Sequence, residues 1–350
     1  MPEPAHLLDL PTALLDWYDR SGRSLPWRIR PEDRRRGAVA DPYAIWLSEI
    51  MLQQTTVPHA TPYWFRFLEL WPRVEDLAAA PRDDVMREWA GLGYYARARN
   101  LHACARHVAS ELGGRFPETL DGLKALPGVG EYTANAILAA AFDQPANVVD
   151  GNVERVITRL YRVETPMPKA KPEIRRLAGD IASIDRPCDY AQAIMDLGAT
   201  VCTPRNPDCP ACPWQTACAA HQVGDMTRFP VKAPKRRKPI RTGTAWLVRG
   251  ENGIWLRQRP DEGLLGGMME VPSSEWVEQA EPVIPPFEAD WADRGEVRHV
   301  FTHFELRLTV REAAAHAGWR PNEGIWADDA ALEQAALPSV MRKVLATASD

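Results

Sequence analysis

Through the first two-thirds of the chain, apolar residues return every three to four positions in runs that Pro and Gly break. That period predicts helices over residues 7–18, 44–52, 63–70, 82–89, 96–112, 119–125, 132–141, 153–161 and 174–184, and hence an all-α domain. Beyond residue 241 the pattern shortens to alternating segments at 243–249, 253–258 and 304–310, with Gly-rich turns and a further helix over 339–348. The expected organisation is multidomain: an all-α domain over 1–222, a linker over 223–241 and an α+β domain over 242–350. No internal repeat is evident.

The linker is read from its composition. Residues 226–241 hold seven basic residues and no acidic one, interleaved with Pro230, Pro234 and Pro239, which resist helix and sheet. Such a composition implies an extended basic strap, either a solvated tether or a segment lying along phosphates. The net charge of −5 argues at first against a nucleic-acid partner, but residues 1–241 carry 32 Lys and Arg against 29 Asp and Glu, and the remainder carries 10 against 18. With 350 residues, 45% of them hydrophobic, the chain can bury two cores. No stretch has the apolar length of a membrane helix and the opening MPEPAHLLDL is no signal peptide, so a soluble intracellular protein with no membrane partner is expected, cytoplasmic and monomeric.

Four cysteines add chemistry. Cys202, Cys209, Cys212 and Cys218 are spaced C-x6-C-x2-C-x5-C, a set of soft thiolate donors that can close around one metal centre. Zinc ribbons present two CxxC knuckles and only Cys209 and Cys212 form one here, so the spacing favours an iron–sulfur cluster and leaves structural zinc open. Cys104 and Cys188 stand alone and read as buried thiols. Upstream, Leu126-Pro127-Gly128-Val129-Gly130 followed by Glu131-Tyr132 is a helix–hairpin–helix signal. Its turn, at Gly128, Val129 and Gly130, and the amides of the following helix suit a DNA phosphate held without reading sequence.

Two acids lie in apolar company. Glu49 belongs to a segment that is apolar almost all round, with Asp41 and Pro42 as its helix start, so desolvation should raise its pKa and suit it to general acid work. The plain alternative is a Glu pointing outward. Asp150 stands before a new helix, where an N-cap accepts first-turn amides and is held ionised. Cap and catalyst are compatible roles, and two acids with such different surroundings form the pattern of an acid and a cation-stabilising anion.

Six motifs, in one order, resemble the endonuclease III-like superfamily of DNA glycosylases, most closely the branch that removes adenine mispaired with 8-oxoguanine or guanine. They are Leu25-Pro26-Trp27-Arg28, the stretch from Leu47 through Glu49 to Gln53-Gln54-Thr55, Gly91-Leu92-Gly93-Tyr94-Tyr95, Leu126 to Gly130, Asp150-Gly151-Asn152-Val153 and the cysteine loop. The resemblance implies that Glu49 protonates adenine N7 and helps activate water, that Asp150 stabilises an oxocarbenium-like sugar and that Asn152 orients Asp150. It implies an adenine pocket of Trp27, Arg28 and Leu52 with polar contacts from Arg23 and Asp196, and duplex contacts from Gln54, Thr55, Leu92 and Tyr94 that help flip the base. It also implies one 4Fe–4S cluster on the four cysteines and double-stranded DNA as partner. Lyase-active relatives carry a Lys where this chain has Tyr132, which implies a monofunctional glycosylase.

The second domain resembles that branch's 8-oxoguanine-recognition domain, which is related to the Nudix fold. Phe301, Thr302 and His303 stand where the family usually has Phe-Ser-His. The acidic magnesium-binding helix of Nudix hydrolases is absent after Gly267, so pyrophosphate hydrolysis is not expected. A thymine or oxidised-pyrimidine glycosylase of the same superfamily and a non-catalytic iron–sulfur DNA-binding protein are the rival readings. The basic run Arg34-Arg35-Arg36 lies in a segment, 29–40, longer than in typical members, and either touches phosphate or forms a solvated loop.

Overall fold

A computed structural model describes residues 10–234, 238–261, 263–279, 282–316 and 318–347. The chain divides into two compact units, residues 1–92 and 97–234 in one and residues 93–96 and 235–350 in the other. The parts of the expectations that fall on residues 7–9, 235–237 and 348 lie outside the described residues.

The first unit is helical, as its periodicity predicts. Pro42–Met51 starts where Asp41 accepts the Tyr43 amide at 2.9 Å and Pro42 fixes the first turn. Val57–Leu70 begins six residues earlier than its apolar period shows, since its first turns carry Pro58 and Pro62 and the polar His59 and Thr61. Four helices escape the periodicity: Pro31–Arg35, Val74–Ala79 and Ala219–Val223, which are too short for it, and Pro187–Asp196, which is buried almost all round and so has no polar stripe. Leu14, Trp17, Val156, Ile157, Ile194, Leu197 and Trp214 form one shared core, closed where the Trp214 indole donates to the Leu10 carbonyl at 2.8 Å. Among the described residues no helix is long and apolar enough to cross a membrane.

The unit reaches further than expected. Phe229, inside the expected linker, is 2% exposed, and the Met167 amide donates to the Val231 carbonyl at 2.8 Å. Residues 226–234 therefore pack on the first unit, which shortens any tether to the chain beyond Pro234.

The second unit is a sheet of β1 (Ile240–Gly250), β2 (Gly253–Gln258), β3 (Met269–Glu270), β4 (Ala292–Val300), β5 (Glu305–Ala314) and β6 (Ile325–Ala327). Its order is β3-β2-β1-β5-β4, with β6 also on β2, and β1 runs parallel to β5 from Ile240 opposite Glu305 to Arg249 opposite Ala314. Leu247, Leu306, Leu308 and Val310 bury one face against Val340, Met341 and Val344 of the helix Ser339–Ala346. β4 escapes the alternation because only Val297 of its nine residues is buried. Gly267 is followed by β3 and not by a helix.

Candidate active site and thiol cavity

Five elements of the first unit converge on a cavity of about 200 Å3. The segment after the first helix contributes Arg23, Trp27 and Arg28, and the helix Pro42–Met51 contributes Ser48 and Glu49, with Leu52 and Thr55 just beyond it. Tyr132 comes from Glu131–Phe142, Asp150 and Asn152 from the start of Gly151–Leu160, and Ala191, Gln192 and Met195 from Pro187–Asp196. The sequence thus scatters the site over 170 residues and the helices gather it.

Glu49 is not the outward-pointing residue of the plain alternative. Desolvation in the cavity wall raises its carboxyl to about 7, a rise that the Arg28 charge and a hydrogen bond from Tyr132 oppose and the Asp150 charge assists. Asp150 is the N-cap expected of it: Oδ1 accepts the Val153 amide at 2.7 Å, and Oδ2 accepts Asn152 Nδ2 at 2.9 Å. Asn152 is fixed in turn, because Arg155 Nη2 donates to its Oδ1 at 2.8 Å. The backbone of Gly198 passes so close that a Cβ there would stand 2.7 Å from Asn152 Cβ. An acid whose pKa burial raises therefore shares one cavity with a second, rigidly oriented acid.

The helical first unit and the sheet of the second agree with what the chain is similar to. Residues 47–180 match the HhH-GPD superfamily of base excision DNA repair proteins, and residues 243–347 match the NUDIX domain family. Adenine DNA glycosylase of Mus musculus is 36% identical over 400 residues, which span 96% of this chain and 77% of the mouse protein. Adenine DNA glycosylase of Buchnera aphidicola subsp. Schizaphis graminum is 30% identical over 348 residues, 95% of this chain and 96% of that one. The chain belongs to the adenine DNA glycosylase family. A thermostable thymine-DNA glycosylase superimposes with TM-score 0.56 at 27% identity, covering 63% of this chain and 100% of that structure. Endonuclease III trapped on DNA gives 0.53 at 22% identity over 64% of this chain and 99% of that one, a likeness of fold. As a family member the glycosylase is a base excision repair enzyme that hydrolyses N-glycosyl bonds.

The structure brings some of the other expected site residues to the cavity wall and places others elsewhere. Trp27 is 8% exposed, its ring set edge-on to Trp64 with centroids 5.7 Å apart. Asp196 does not reach the cavity as a base contact. It is fully buried, one Arg28 nitrogen donates to both its oxygens at 3.0 and 2.9 Å, and the Arg23 amide and guanidinium donate at 2.8 and 2.7 Å. Burial pushes its pKa up, but the Arg28 charge and the hydrogen bonds from Arg28 and Arg23 outweigh this and hold it below the usual carboxylate range. Its place is beneath two cavity arginines.

Gln54 and Tyr94 are exposed with left-handed backbones, at φ +59° for Gln54 and φ +49° for Tyr94. Leu92 is 4% exposed, which makes it part of the core and not a side chain poised to wedge a duplex. Arg97, which carries no signal in the sequence, ties the two turns, donating to the Leu92 carbonyl at 2.8 Å and to the Ile50 carbonyl at 3.0 Å. Gln192 is a further cavity residue beyond the sequence expectation, although Cys188, Gln192 and Asp196 recur at the four-residue spacing of one helix face.

The hairpin requires its glycine: Gly128 has φ +75°, and a Cβ there would meet Asn100 Cβ at 2.6 Å. The Val129 amide is spent within the turn on the Leu126 carbonyl at 3.1 Å, so it is not a phosphate donor as placed. Gly130 caps the next helix with no side chain, which leaves the first-turn amides without a side-chain partner.

Cys202, Cys209, Cys212 and Cys218 line a single cavity with Arg159 and His221. Backbone amides of Ala220 and His221 reach the Cys218 sulfur, that of Trp214 reaches Cys212, and Arg159 Nη1 stands 3.3 Å from Cys202 Sγ. His221 Nδ1 is buried without a hydrogen-bond partner. Among the described residues no three His, Cys, Asp or Glu side chains converge tightly enough to grip one ion. A cluster takes thiolates at its several irons, so its ligands need not meet at a point as zinc ligands must.

In the second unit, Phe301, Thr302 and His303 occupy the turn between β4 and β5, with Thr302 and His303 exposed. Phe301 is the anchored member, stacked on Trp276 at 5.8 Å and packed on Phe304 at 4.9 Å.

Proposed function

We propose that the glycosylase excises adenine lying opposite 8-oxoguanine or guanine in double-stranded DNA, after the base has been turned out of the stack into the cavity. The observation that carries this reading is Glu49, whose pKa near 7 leaves a good share of the carboxyl protonated at neutral pH within the same cavity as Asp150. Glu49 donates its proton to adenine N7, which makes the base a neutral leaving group. Asp150, held by Val153 and Asn152, faces the positive charge that grows on the sugar as the bond breaks. Tyr132, also on the cavity wall, hydrogen-bonds Glu49 and offers no amine for a Schiff base, which supports a monofunctional enzyme.

The four thiols fit one 4Fe–4S cluster by their chemistry, their common cavity and the N–H donors aimed at their sulfurs. Its part here is structural, bracing the loop after Cys202. The exposed Thr302 and His303 turn supports recognition of 8-oxoguanine by the second unit, and the strand after Gly267 gives no support to pyrophosphate hydrolysis.

The test is base release from duplexes carrying A opposite 8-oxoguanine, A·G, T·G and oxidised pyrimidines, with Glu49→Gln and Asp150→Asn as controls. Adenine release from the first two, lost in both variants, is expected. Wild-type turnover in both variants, or release of thymine alone, would sink the proposal, and high-yield borohydride trapping would sink monofunctionality.

A further inference from the structure

The basic segment that follows Arg28 is largely exposed, but one of its arginines turns inward. Its helix, Pro31–Arg35, buries no residue, so apolar packing does not hold it in place. Its arginines do. Among the described residues Arg36, 78% exposed, pairs only with Asp33, and Arg35 pairs with Asp19 at the surface at 2.9 Å. Arg34 alone turns inward: its Nη2 lies 2.7 Å from Cys188 Sγ, and its Nε is buried, without a hydrogen-bond partner, 3.9 Å from Asp189 Oδ1.

Cys188 is fully buried and joins this contact to the cavity. Its sulfur also accepts Gln192 Nε2 at 3.2 Å, and the opposite end of that carboxamide, Oε1, accepts the Tyr18 hydroxyl at 2.6 Å. Gln192 lines the cavity beside Arg28 and Glu49. A carboxamide has one donor end and one acceptor end, and a purine edge presents both kinds of partner, so which end faces the base decides whether the contact is made. Here Tyr18 and Cys188 set that direction, and Arg34 sets the position of the sulfur.

We infer that Arg34 is a positioning residue for the adenine site, acting through the Cys188 thiol on the Gln192 carboxamide; the inference rests on the reading of the cavity as the site that takes adenine. The basic segment then shapes base recognition from behind the pocket. A guanidinium turned inward onto a thiol is badly placed for a phosphate.

The test uses the full chain, with folding of every variant checked by thermal melting. Affinity is measured for a duplex carrying a non-hydrolysable adenine nucleotide and for undamaged duplex over a range of salt, and base release is followed under single turnover. Arg34→Met should weaken binding of the adenine duplex by about tenfold while leaving both the affinity for undamaged DNA and its salt dependence unchanged. Arg34→Lys should restore part of the loss, and Arg36→Met should change nothing. The double variant Arg34→Met with Gln192→Ala should be no worse than Gln192→Ala alone, because the two residues act in series. Wild-type affinity in Arg34→Met, additive losses in the double variant, or a shallower salt dependence on undamaged DNA would each overturn the inference, the last by making Arg34 a phosphate contact. If Arg34→Met does not fold, Cys188→Ala carries the same comparison with Gln192→Ala. A wild-type protein that released no adenine from any duplex would fail earlier, at the reading of the cavity itself.

Discussion

One terminal nitrogen of Arg28 donates to both carboxylate oxygens of Asp196, at 3.0 and 2.9 Å, with the acid fully buried and the Arg28 side chain 8% exposed. Such a pair does little for stability against an apolar replacement, but breaking it strands a buried charge. Asp196→Asn should therefore cost on the order of 3 kcal/mol in urea unfolding and leave Arg28 free to leave the cavity wall. A loss below about 1 kcal/mol, the size of an exposed pair, would show that Asp196 does not carry Arg28.

The Arg28 charge also bears on Glu49. Base release should fall as pH rises through about 7, where Glu49 loses its proton. Arg28→Met removes a charge that lowers the Glu49 pKa, so the alkaline limb of the pH profile should move upward. Stability follows the opposite sense from the usual acid. Folding raises Glu49 from 4.5 to about 7, so its contribution is fully present below pH 4.5 and is lost as pH rises through 7. Glu49→Gln should consequently be more stable than wild type above pH 7, by up to ~3 kcal/mol, and the gain should vanish toward pH 4.5. Melting curves of the two proteins between pH 4.5 and 8 check this, and a constant difference would mean that Glu49 does not titrate as described.

Much of this site can be read in the sequence, and the reason is physical. Glu49 and Asp150 announce themselves because an acid inside an apolar helix and an acid before a helix start are local conflicts with local causes. Asp196 is misread because its partners, Arg23 and Arg28, lie some 170 residues away and only the fold shows that they consume its oxygens. β4 is missed for want of an apolar face, and the helix Pro187–Asp196 for want of a polar one. Leu92 stands in the expected turn, yet whether a turn leucine faces solvent or core is settled by distant packing.

Arg155 belongs to the same class of invisible residue. It donates to the Cys202 carbonyl at 2.7 Å, the Gly198 carbonyl at 2.7 Å and Asn152 Oδ1 at 2.8 Å, and Asn152 holds Asp150. The loop of the first cysteine is thereby fastened to the Asp150 carboxylate. Arg155→Met should lower the single-turnover rate by about ten- to a hundredfold with little change in DNA affinity, since it loosens the acid proposed to face the sugar and leaves the hairpin amides untouched. A loss confined to affinity would remove Arg155 from the positioning of Asp150.

The last prediction concerns where the first unit ends. Phe229 is buried between the guanidinium groups of Arg162 and Arg228, 5.7 and 5.4 Å from its ring, and its carbonyl accepts Arg159 Nε at 3.3 Å. Arg159 spends its remaining nitrogens on the Thr203 and Pro204 carbonyls and on Cys202 Sγ, so this aromatic residue of the basic stretch helps to seat the cysteine loop. A chain cut after Pro234 should keep adenine release while losing preference for 8-oxoguanine, and a chain cut after Gly224 should not. Phe229→Ala in the full chain should cost about 3–5 kcal/mol in unfolding of the first unit and speed loss of the proposed cluster's absorbance on exposure to chelator. If the Gly224 cut were as stable and as active as the Pro234 cut, the strap would be only a tether, and the buried Phe229 would have no part in holding the loop that carries Cys202.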